Sequence, residues 1–128
     1  MNIDEIQKKI DETDYWDMKI IGMNISFFGY VVELIIENDE VSNWKISFIS
    51  CYKVSYVTDA NRRSISKVSE MKGGQLGYYG QDITVFDCDN SEFLKVTIDL
   101  SIMDIEIECK EITVGKIVLD WLFYEIKI

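Results

Sequence analysis

Residues 71–82 read MKGGQLGYYGQD and hold four of the chain's seven glycines, a density met where backbone amides cradle a phosphate. A nucleotide loop of that kind needs Gly-x-x-x-x-Gly-Lys-Ser/Thr between a strand and a helix, so that successive N–H groups and a helix N-terminus face the anion. Here Lys72 precedes Gly73, and no helical spacing follows Gly80. A dinucleotide fingerprint fails as well: Gly74, Gly77 and Gly80 lack the Gly-x-Gly-x-x-Gly order and a βαβ setting. The glycines therefore predict backbone geometry, a bend or bulge covered by Tyr78 and Tyr79.

Other chemistries narrow in the same way. Asp87, Asp89 and Ser91 alternate as in a calcium loop, but Glu92 stands where such a loop needs glycine and Ile98 where it needs a bidentate glutamate. The stretch reads as a tight acidic turn, and no metal or cofactor is expected. With no histidine in the chain, Ser-His-Asp and Cys-His nucleophilic pairings are excluded. Cys51, Cys88 and Cys109 are odd in number and far apart, which predicts reduced, buried thiols rather than disulfides or a zinc site. A pair of carboxylates in a cleft is the catalytic option left open. No two of the 23 acidic residues can be paired from sequence, so no catalytic residue is assigned and a non-enzymatic role is expected.

Aromatic side chains set among acids suggest a different use. Trp16 lies in DETDYWD, and Tyr78 and Tyr79 precede Asp82. Tyrosine and tryptophan dominate interface hot spots, and an acidic field speeds encounter with a basic partner. The candidate partner-binding residues are accordingly Trp16, Asp17, Tyr78, Tyr79, Asp82, Asp87, Asp89 and Glu92. The alternative is that they only form turns.

Positioning these residues falls mainly to strands. Ile3, Ile6 and Ile10 mark one stripe of a short N-terminal helix within residues 1–12. After Asp14 the apolar period becomes two. The runs 18–28 and 30–37 meet at Gly29 in a tight hairpin or bulge, 38–43 is a turn, and 44–57 is one long, bent strand. Residues 58–75 form a polar edge segment. Strands follow at 82–87, 93–100 and 104–114, and a last one at 116–128 carries apolar residues on both parities, as if covered on both faces. About eight strands in one 1–128 domain predict a mainly β fold, an antiparallel sandwich or partly open barrel.

Composition sets the class of partner. The net charge of −10 is uneven: residues 1–52 carry 4 basic and 10 acidic side chains, 53–72 carry 5 and 2, and 73–128 carry 4 and 11. Nucleic acid is disfavoured, because binding it requires Lys and Arg against phosphates. No apolar run reaches the roughly 18 residues of a membrane span, and the N-terminus lacks a signal-peptide pattern, so a cytoplasmic protein is expected. A protein partner, basic in character, fits best; homo-oligomerisation is left open. A second reading is a small-ligand carrier, a barrel with an apolar cavity lined by Phe27, Phe48, Tyr56 and Phe86.

The succession of a short acidic helix, DYWDMKIIGMNISF, VVELIIE, WKISFISCYKVSY and VTIDLSIMDIEIECKEITV resembles the small β-rich immunity proteins that Gram-positive bacteria carry beside polymorphic toxins. The likeness spans residues 14–114 and transfers no binding motif residue by residue. It implies an inhibitor that blocks a toxin by tight stoichiometric binding.

Overall fold

The computed structural model describes residues 2–61 and 77–119. Helix α1 (Ile3–Asp11) opens on Asn2, whose side chain accepts the Asp4 N–H at 2.9 Å. Asp4 and Glu5 sit in its first turn and Lys8 and Lys9 in its last, matching the helix dipole at both ends. Its buried stripe is Ile6 and Ile10, with Ile3 packed at the margin, as the spacing predicts.

Six strands follow: β1 (Ile20–Ser26), β2 (Val31–Glu37), β3 (Ser42–Val57), β4 (Asp82–Asp87), β5 (Leu94–Asp99) and β6 (Asp104–Val118). They form one antiparallel sheet in the order β1-β2-β3-β6-β5-β4. The long strands β3 and β6 lie at its centre. The first half of β3 carries the β2–β1 hairpin, and the first half of β6 carries the β5–β4 hairpin. Alternation decides the covered face: Val32, Leu34 and Ile36, then Ile46 and Phe48, Ile83 and Val85, Leu94, Val96 and Ile98, and Ile105, Ile107 and Cys109 are all buried in one core with α1. Glu33 and Lys45 form an ion pair at 3.4 Å on the other face, as do Lys95 and Glu106 at 3.1 Å.

The expected bend in the third strand is present. Ser50 takes a φ of +56°, and the β3–β6 register shifts between Cys51 and Lys53. There is one departure from the sequence reading at the C-terminal end. The runs 104–114 and 116–118 are a single strand, because Gly115 opposite Lys45 keeps the ladder intact. Residues 120–128, most of segment 58–75, and Gly73 and Gly74 lie outside the described residues.

A second sheet and a closed barrel are both absent among the described residues; the partly open form is what the chain adopts. The two edges of the sheet meet at one corner, where the lead-in to β1 crosses the lead-in to β4. Trp16 bridges Gly80 and Lys19 bridges Tyr79, with Asp17 N–H donating to Gly80 O at 2.8 Å and Ile20 N–H to Tyr78 O at 2.9 Å. Gly80 is required here, since an added Cβ would run into the Tyr15 carbonyl oxygen. Helix α1 and Tyr15 then seal the outer edge of β4. Gln7 donates to Ile83 O at 2.8 Å and accepts Val85 N–H at 2.9 Å, and the Tyr15 hydroxyl accepts Ile83 N–H at 2.9 Å. An edge strand covered in this way is no template for aggregation.

The proposed ligand cavity is corrected by the same geometry. Of Phe27, Phe48, Tyr56 and Phe86, only Phe48 is buried; the other three lie on the surface and share no interior with it. An open sheet filled by aliphatic side chains encloses no chamber between them.

Candidate functional site

The residues singled out from sequence separate into two groups at opposite ends of β4, roughly 17 Å apart by strand rise. At the start of β4, the corner described above gathers Trp16, Asp17, Tyr78, Tyr79 and Asp82. Trp16 is 45% exposed and stacks on buried Tyr15, with ring centroids 4.2 Å apart. Asp17, at a φ of +61°, accepts a hydrogen bond from Gln81 at 3.2 Å, and Asp82 accepts one from the Thr84 hydroxyl. Tyr78 is half-buried against the core, so its ring serves packing, and Tyr79 is at the surface. Asp82, Asp99 and Asp104 stand directly opposite one another on β4, β5 and β6, three like charges side by side on an open sheet end.

At the far end of β4, Asp87 ends the strand opposite Leu94, and Asp89 and Glu92 lie in the turn into β5. Asn90 organises it, accepting the Glu92 N–H through its side chain at 3.1 Å and the Phe93 N–H through its carbonyl at 3.0 Å. The Cys88 thiol donates to the Glu108 carboxylate at 3.0 Å, and this bond is the main cause that raises its pKa.

This turn borders a surface that the sequence reading missed. Tyr52 and Phe93 are in tilted contact at 5.6 Å, and Lys110 lies over the Phe93 ring. Beside them an open concavity of about 740 Å³ runs past Tyr30, Val54 and Tyr56 to the β1–β2 connection. There Phe27 and Phe28 are 74% and 107% exposed. Both occupy the left-handed region, at φ +51° and +59°, ahead of Gly29 at +99°. A bulky side chain in that region costs about 1–2 kcal/mol, and turns that demand positive φ ordinarily use Gly, Asn or Asp. The backbone conformation closes the β1–β2 hairpin, with Tyr30 N–H donating to Phe27 O at 3.1 Å, but the two aromatic rings held in water contribute nothing to the core, so the choice of Phe at these strained positions has no folding rationale. Unfavourable residue types kept at strained positions cluster at binding sites.

A family model, "Immunity protein PIM7", matches residues 2–116. The chain belongs to the immunity protein PIM7 family. The match takes in α1, all of β1–β5, and β6 as far as Lys116, so both surfaces fall inside it. A crystal structure of an uncharacterized protein from Neisseria gonorrhoeae is similar in fold, with a TM-score of 0.52 and 12% identity over 79% of this chain and 92% of that one. No curated protein matches significantly.

The signal for the missed surface was in the sequence. SFFGY places two phenylalanines where the hairpin must turn, and aromatic residues are poor formers of such turns. Reading Phe27 and Phe28 as the end of a strand hid that conflict.

Proposed function

We propose that this chain is a non-enzymatic, immunity-type inhibitor that binds a protein toxin in a stoichiometric complex and occludes it, acting in the cytoplasm on a partner of basic character. Membership of the immunity protein PIM7 family over residues 2–116 carries the reading. Two features support it. The chain bears a charge of −10, which attracts a cationic protein over long range and speeds its encounter. It also exposes strained aromatic side chains that a partner could bury.

Co-production with a toxin whose gene adjoins this one tests this. Cells making both proteins should survive where cells making the toxin alone die, and the purified pair should run as a complex of fixed stoichiometry. Killing that proceeds despite abundant, folded inhibitor would overturn the reading.

A further inference from the structure

Two surfaces compete for the partner, and they differ in what they offer. The Trp16–Tyr79 corner has structural duties: Trp16 stacks on a buried tyrosine, and its backbone bridges Gly80 to hold the sheet edges together. The backbone of the Phe27–Phe28 turn closes the β1–β2 hairpin, but the two rings have no such duty, because both stand clear of the core while their backbone is held in the left-handed region. Next to this turn the surface is already arranged for contact. Tyr30, Tyr52 and Phe93 continue it, and Asp89 of the β4–β5 turn and Glu108 border it with acid at the Tyr52–Phe93 end. Within the concavity, Lys53 stands opposite Glu108 in the β3–β6 register, and Lys110 is held over Phe93. The turn carboxylates have no ion pair among the described residues.

We propose that Phe27 and Phe28 form an aromatic finger that enters an apolar pocket of the partner protein, while the acidic β4–β5 turn meets lysine or arginine side chains on the rim of that pocket. The inference rests on the reading of this chain as a toxin-binding inhibitor and adds the mode of binding. Charge selects the occupant. A second copy would bring another −10 and a second acidic turn against the first, whereas a cationic rim around an apolar pocket satisfies both halves of the surface. A projecting finger suits an inhibitor that works by filling a cleft.

Binding of the toxin to variants at the two surfaces, followed by surface plasmon resonance, tests the assignment. Phe28→Gly and Phe28→Asn remove the ring and relieve the left-handed strain, so each should weaken affinity at least about tenfold while the melting temperature stays level or rises. Reversing charge with Asp89→Lys and Glu92→Lys should act mainly by slowing association. Trp16→Phe should leave affinity within about twofold of the parent. If both Phe28 variants bind within twofold of the parent, the finger is wrong even though toxin binding stands. If the parent itself fails to bind the toxin, the fault lies with the functional reading. A homodimer of the free protein that dissociates in the Phe28 variants would make the finger a self-contact and overturn the assignment.

Discussion

Cys109 lies opposite Cys51 across the β3–β6 ladder and is fully buried. Burial, reinforced by the neighbouring thiol, pushes its pKa up to about 12, against 9.0 for an ordinary cysteine. The unfolded chain therefore releases this proton near pH 9 while the native protein keeps it. The stabilisation is complete below pH 9 and is lost as pH rises toward 12. Urea unfolding at pH 8 and pH 10.5 should show the parent losing more stability over that interval than Cys109→Val, which has no such proton; equal losses would contradict the assignment. The thiol should also resist alkylation until the protein unfolds. Its burial was legible in DIEIECKEITV, where Cys109 shares the parity of Ile105 and Ile107. Phe28 was not legible in this way, because its exposure follows from a backbone reversal that alternation alone does not announce.

At the scale of elements, α1 does more than lay an apolar stripe on the core. Gln7 points its amide at β4 and supplies the hydrogen bonds that a seventh strand would have made, with Asp11 fixing its orientation at 2.9 Å. Gln7→Ala leaves Ile83 O and Val85 N–H without these partners and should destabilise the fold by about 1–2 kcal/mol. Lys8→Ala, on the exposed face, should change stability by less than about 0.5 kcal/mol. Denaturant titration gives both values. Hydrogen exchange should speed up at the Val85 amide in the Gln7 variant, and unchanged protection there would argue against the edge contact. The helix and its apolar stripe could be read from spacings of three and four. Its docking against β4 could not, since Gln7 and Val85 are 78 positions apart and nothing local links them.

For the whole molecule, the −10 charge has two consequences of opposite sign in salt. Self-repulsion among acids such as the Asp82, Asp99 and Asp104 row opposes the compact state, so raising NaCl from about 0.05 to 0.5 M should raise the melting temperature by a few degrees. The same screening should slow association with a basic toxin several-fold while changing dissociation little. A melting temperature that falls with salt, or an association rate indifferent to it, would contradict this electrostatic account. The sequence by itself determined the mainly β class, the N-terminal helix, the buried parity of Ile46 and Phe48 and of Ile105, Ile107 and Cys109, and the absence of histidine chemistry, because these depend on residue type and on periods of two and 3.6 positions. Only the tertiary structure decided that one sheet curls until its edges meet at Gly80, that β6 runs through Gly115, and that the acidic turn at Asp89 and the aromatic turn at Phe28 lie on one surface. Those are pairings between residues far apart in the chain, set by register and close packing, and no local period encodes them.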